Sequence, residues 1–131
     1  MIRQSFIFLE KMGYSSEKNL WKQGITDWDL FLDTKSVPKL NPNRKAQYDR
    51  EITSAKKAIA RYDSEFFCGR LKPKEAFRLY DHFSEDICFL DIETSGYYGD
   101  ITVVGVYDGK DTKTLVRGIN LDEEKIKKAI G

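Results

Sequence analysis

Residues 87–119, ICFLDIETSGYYGDITVVGVYDGKDTKTLVRGI, decide the fold class. Apolar residues here recur with a period of 2. The runs ICFLDIE (87–93), ITVVGVYD (101–108) and TKTLVRGI (112–119) are rich in Ile, Val and Thr, as strands are. Asp108-Gly109 between the second and third runs is a hairpin signal, and TSGYYGD (94–100), with two glycines, predicts a turn between the first and second. Links this short join antiparallel neighbours, so the stretch predicts a three-stranded antiparallel meander. Beyond it, Asp122 stands as the cap of a last helix, EEKIKKAI (123–130), with acids in its first turn and lysines further on, as the helix dipole prefers.

Upstream the period is helical. Asn41-Pro42 is a start signal, cap then first helical position. Tyr48, Ile52, Ala55, Ile59, Tyr62 and Phe66 then recur at steps of three or four, which predicts one long helix ending at Gly69. Pro73 opens a second helix, KEAFRLYDHF (74–83). Nearer the N-terminus, SSEKNLWKQG (15–24) predicts a two-turn helix begun by Ser15 or Ser16 and stopped by Gly24 in a left-handed cap. TDWDLFLD (26–33) follows with Thr26 and Asp29 at capping-box spacing. Trp21, Trp28 and Phe31 are read as the small core of this segment. The chain is therefore α+β: a helical N-terminal half, the meander, and the start of a helix. Three regions follow, residues 1–40, 41–83 and 84–131.

The first strand carries two carboxylates, Asp91 and Glu93. Residues two apart on a strand share a face, so the two acids project together with Cα atoms about 6.6 Å apart. Leu90 and Ile92 point the other way, into the expected core. Like charges on one face repel, and a hard divalent cation, Mg²⁺ or Mn²⁺, removes the conflict. The same spacing also suits a strand end that emerges into solvent with two ordinary surface acids. Nucleases that use two such ions clamp the attacking and leaving oxygens of a phosphodiester between them.

FLDIETSG (89–96), followed by a turn and ITVVGVYDG (101–109), resembles the first motif of the DEDD-type 3′–5′ exonucleases on the ribonuclease H-like fold. SFIFLEKMG (5–13), NLWKQGITDWDLFL (19–32) and FLDIETSG stand in the order seen in proteins with a YprB-type ribonuclease H-like domain, so the resemblance covers nearly the whole chain. It implies that Asp91 and Glu93 are catalytic metal ligands. It also implies that Thr94 and Ser95 lie beside the terminal nucleotide of a DNA or RNA substrate. A site of that family needs four acids. After Glu93 the acids are Asp100, Asp108, Asp111, Asp122, Glu123 and Glu124, in turns or at a helix start, and none lies in a motif like the family's second or third. The resemblance thus implies the first half of a ribonuclease H-like domain, holding at most part of a two-metal site and inactive as this chain alone. The alternatives are a non-catalytic nucleic-acid-binding module and a scaffold subunit. In the family the acidic strand has a parallel partner from sequence not present here. Residues 87–92 are accordingly expected to form an open apolar edge, inviting self-association or a complementing polypeptide. MGYSSEKNLWKQGI (12–25) further resembles a helix-hairpin-helix element, although Tyr14 and Ser15 stand where its second glycine would be.

Composition narrows the class. The 131 residues are 40% apolar, 13% aromatic and 33% charged, with net charge +1, enough apolar surface for a core and no whole-chain charge signal. Regional charge differs. Residues 41–78 carry ten Lys/Arg against five Asp/Glu, whereas residues 79–131 carry six against eleven. A basic helical face would attract phosphates, and Lys56, Lys57 and Arg61 are its candidate nucleic-acid contacts; a solvated helix face would carry the same residues. Cys68 and Cys88, without CxxC spacing, suit free thiols in a reducing cytoplasm. No apolar run reaches the length of a membrane span, and no signal peptide is evident. His82, alone in an aromatic helix, is read as structural, and Tyr97 and Tyr98 as turn aromatics packing on their neighbours.

Overall fold

The computed structural model describes residues 1–97 and 99–131, and the chain divides into two compact units, Met1–Phe83 and Ser84–Gly131. The fold is α+β: helices first, then a three-stranded antiparallel sheet, then a helix.

The first unit packs α1 (Tyr14–Lys22), α2 (Trp28–Asp33), α3 (Pro42–Ala60) and α4 (Tyr80–Phe83) around an aromatic core. Phe8 meets Trp28 and Phe67 edge-on at ring separations of 5.5 and 5.7 Å, and Phe6 meets Phe31 at 5.6 Å. Trp28 is buried without a polar penalty because its Nε1 donates to the Ser5 carbonyl at 2.8 Å. The expected core of Trp28 and Phe31 is present, and Trp21 is partly buried beside it.

Several boundaries differ from the sequence expectation. Helix α1 starts at Tyr14, capped by the backbone of Gly13 rather than by Ser15 or Ser16, and Gly24 does take the left-handed conformation that follows it. The cap of α2 is Asp27, whose carboxylate accepts from the Leu30 amide at 2.8 Å; Thr26 lies one residue too early. Asn41 caps α3 as expected, accepting from Arg44 N at 2.9 Å. Helix α3, however, ends at Ala60 and does not run on to Gly69. Tyr62 sits in left-handed backbone (φ 57°), with Tyr62 N donating to Ile59 O and Asp63 N to Ala58 O, a complete Schellman closure at a position glycine usually fills. The aromatic contacts of Tyr62 with His82 (5.5 Å) and Phe83 (5.0 Å) hold it there. KEAFRLYDHF is a 3-10 segment, Pro73–Leu79, before the four residues of α4, which leaves Phe77 and Tyr80 exposed and buries Phe83.

Glu17, 1% exposed, accepts from the amides of Phe6 (2.7 Å) and Ile7 (3.0 Å) and pairs with Arg78. Arg78 also binds Glu75, which takes the Tyr14 hydroxyl as a further donor. The Tyr14 hydrogen bond, against opposing desolvation and helped by Arg78, holds the Glu75 carboxyl below its ordinary value. A lowered folded-state value stabilises above the unfolded carboxylate range and is lost as pH falls through the folded value. Glu75→Gln is therefore expected to flatten the acid limb of the stability–pH curve. Urea midpoints of both proteins between pH 3 and 7 check it; parallel curves contradict it.

In the second unit the strands are β1 (Phe89–Thr94), β2 (Ile101–Tyr107) and β3 (Thr112–Val116), in the order β1-β2-β3. The β2–β3 turn is closed by Asp108, whose carboxylate accepts from Lys110 N and Asp111 N at 2.9 and 2.8 Å, and Gly109 takes φ 94°. Between β1 and β2 the register slips after Glu93, and Thr102 becomes the extra residue of a bulge, its hydroxyl donating to the Glu93 carbonyl. Helix α5 (Glu123–Ile130), capped by Asp122, packs on β2 and β3. The core is small: Val104, Val106 and Leu115, with Cys88, Leu121, Ile126 and Ala129 against it. Leu90 and Ile92, expected in that core, are 49% and 51% exposed, because the eight-residue α5 covers the neighbouring strands and not β1. Cys68 and Cys88 are both free, and no described helix is long and apolar enough to cross a membrane.

Candidate functional site

Strand β1 places Asp91 and Glu93 as the alternation requires. Asp91 pairs across the sheet with Gly105 and Glu93 with Val103, on the face opposite α5, and both acids are exposed. They border a shallow depression with Phe89, Gly105, Tyr107 and Thr114. A Cβ at Gly105 would lie 3.8 Å from Asp91 Cβ, so glycine is not sterically demanded there; its effect is to leave the space beside the carboxylate open. Neither acid takes part in an ion pair among the described residues.

The donor set is two hard carboxylates of the kind Mg²⁺ and Mn²⁺ take, with water able to complete the shell. Among the described residues no group of three or more His, Cys, Asp or Glu side chains is placed to hold a metal, so the pair can contribute to one ion and does not by itself form a two-ion clamp.

Thr94 and Ser95 follow directly, but their groups are engaged locally. Thr94 Oγ1 donates to the Gly96 carbonyl at 3.1 Å, and Ser95 N donates to Asp100 O at 3.1 Å. Gly99 closes this turn so tightly that a Cβ would fall 2.3 Å from the Ser95 carbonyl oxygen. The turn is thus fixed by its own hydrogen bonds, and the Thr94 oxygen retains acceptor capacity toward a ligand. Tyr97 is almost fully exposed, and Tyr98 lies outside the described residues.

The basic candidates belong to the other unit. Lys56 forms an ion pair with Asp29 and lines a cavity of about 530 Å³ with Arg3, Trp28, Asp81 and His82. Lys57 and Arg61 are exposed near the end of α3. Much of the positive excess of residues 41–78 is used internally. Lys45 is buried, bonded to Asp49 at 2.6 Å and seated 4.7 Å above the Phe31 ring, and Arg78 is enclosed by Glu17 and Glu75. His82 has the structural setting expected of it, its Nε2 3.0 Å from the Ile59 carbonyl and its ring 4.8 Å from that of Phe83.

Two features had no signal in the sequence: the Glu17–Arg78 pair, whose members are 61 residues apart, and the cavity that brings Arg3 and Asp81 together with Lys56. The helix-hairpin-helix resemblance meets a specific difficulty. Before Gly13 stand a three-residue 3-10 turn, Ile2–Gln4, and further turns, with no α-helix to form the first arm of a hairpin.

No family model, no curated protein and no solved structure matches the chain.

Proposed function

We propose that the chain is the N-terminal part of a divalent-metal-dependent nuclease resembling the DEDD 3′–5′ exonucleases, with Asp91 and Glu93 as metal ligands. One observation carries the reading: two carboxylates without ionic partners share a face of β1, beside a glycine that keeps the approach open. A strand holds such ligands in fixed register, which a loop does not. When bound, Mg²⁺ or Mn²⁺ supplies Lewis-acid stabilisation of phosphodiester oxygens and a more acidic water. The chain's own contribution is to present the two carboxylates together on one face of the strand. The other acids of such a centre would come from elsewhere, so residues 1–131 alone are inactive in this proposal. Nucleic-acid binding through Lys56, Lys57 and Arg61 alone has weaker support, since Lys56 is already paired with Asp29.

Calorimetric titration with Mn²⁺ tests the assignment. The wild type is expected to bind weakly, and Asp91→Ala, which removes one of two carboxylate ligands, to weaken binding by about tenfold or more. Equal affinity in the two proteins rejects the metal site.

A further inference from the structure

Helix α1 buries one face and leaves the other without a partner. Glu17 and Leu20 are buried and Trp21 is partly buried, whereas Ser15, Lys18, Asn19 and Lys22, at steps of three or four, form an exposed stripe. With Ser16 and Lys39 these residues line a shallow depression of about 450 Å³. Lys18, Lys22 and Lys39 take part in no ion pair among the described residues, and no acid lines the depression. Three lysines thus share one hollow with no counter-charge, next to two hydroxyls and an amide whose side chains make no hydrogen bond among the described residues.

The third lysine reaches this hollow from a turn whose backbone does not favour it. Val37, buried in the core, anchors a turn in which Leu40 N donates to Val37 O at 3.1 Å, with Pro38 at the second position. Lys39, at the third, has φ 66°. A turn with Pro second and positive φ third takes Gly or Asn there, since a Cβ disfavours that backbone. The chain instead sets a lysine at that position, on the same depression as Lys18 and Lys22.

We propose that this depression binds a multiply charged phosphate group, a terminal phosphate monoester or a pyrophosphate carried by a small molecule. Ammonium groups bind phosphate as point charges, and hydroxyl and amide N–H groups donate to its remaining oxygens. No apolar or aromatic side chain lines the site, so it offers no platform for a nucleobase and no pocket for a protein's apolar anchor. A nucleic-acid backbone spreads single charges along a strand, whereas three lysines around one hollow match one group of two or more charges. The donors are side chains from the outer face of α1 and from a separate turn, not the amides of a hairpin. The proposal is independent of the nuclease reading, because all six residues lie in Met1–Phe83, the unit without Asp91 and Glu93.

Inorganic pyrophosphate, titrated into the isotope-labelled full chain at low salt with EDTA present, tests it. Amide shifts at residues 15–22 and at Lys39 are expected to saturate, and about 0.5 M NaCl to weaken binding by about tenfold. Lys18→Gln, Lys22→Gln and Lys39→Gln combined should weaken it by about tenfold or more. Lys11→Gln, Arg50→Gln and Lys72→Gln combined remove the same charge from other exposed positions of the unit and should leave it within about twofold. Lys39→Gly alone should weaken it about threefold and raise the urea midpoint, because glycine relieves the left-handed turn. Equal losses in the two triple variants overturn the proposal, as do shifts that never saturate. A single-stranded oligonucleotide without terminal phosphates that binds the same residues more tightly, at equal phosphate concentration, also overturns it, since the occupant would then be a nucleic-acid backbone.

Discussion

Arg78→Met is expected to destabilise the unit Met1–Phe83 by about 3–5 kcal/mol, the cost of leaving a buried carboxylate without its counter-charge. The guanidinium Nη1 lies 2.9 Å from both Glu17 oxygens and 3.0 Å from Ser5 Oγ, while its Nε lies 2.8 Å from Glu75. Burial opposes the charge on Arg78, yet the bonds to Glu17 and then Glu75 outweigh it, and the group holds its proton more tightly than a free guanidinium. Without it, Glu17 would keep only the Phe6 and Ile7 amides to offset its desolvation. Urea unfolding at pH 7 measures the loss. The double variant Glu17→Gln, Arg78→Met should lose less than the two single changes summed, because each then removes the other's penalty. A loss below about 1 kcal/mol, the range of exposed pairs, would show that solvent reaches the network.

That network marks how far the sequence could be read. The helix caps at Asn41 and Asp122, the hairpin at Asp108-Gly109 and the shared face of Asp91 and Glu93 were legible, because each depends on residues within a few positions of one another. The end of α3 was not. Its stop is Tyr62 in left-handed backbone, held by contacts with His82 and Phe83 about twenty residues on, whereas the local signal pointed to Gly69. Regional charge is an incomplete guide for the same reason, since it does not show which charges are already paired. The basic excess of residues 41–78 suits a phosphate-binding face, but Lys45 is buried, Arg78 is held between Glu17 and Glu75, and Lys56 is paired with Asp29, a partner outside that segment. Leu90 and Ile92 share the apolar face of β1 but are about half exposed. Periodicity shows which residues share a face, not whether another element covers it, and α5 covers only the neighbouring strands.

The cover that α5 provides sets the second large effect. Leu115→Ala is expected to unfold the sheet unit while leaving the helical unit intact. Among the described residues of Ser84–Gly131, Leu115 is one of three buried apolar residues, with Val104 and Val106, and it packs with Ile126 and Ala129 of α5. Truncating a buried leucine costs about 2–5 kcal/mol. A unit of this size buries too little surface to hold much in reserve, since domains near 60 residues are already marginal. The same change in the aromatic core of the first unit would be shared among many more buried neighbours. Amide exchange resolves the two units directly: protection of Val104 and Val106 should fall to the level of exposed amides, while that of Ile52 and Ile59 in α3 persists. Loss of protection at both sets together would mean that the units unfold as one. If Asp91 and Glu93 hold a cation, Mn²⁺ should restore protection in the Leu115→Ala sheet in proportion to RT ln(1 + [Mn²⁺]/Kd), because only the folded strand fixes the two carboxylates on one face. The same Mn²⁺ added to the double variant Asp91→Ala, Leu115→Ala should restore little, which links the stability of the sheet to the occupancy of the site it carries.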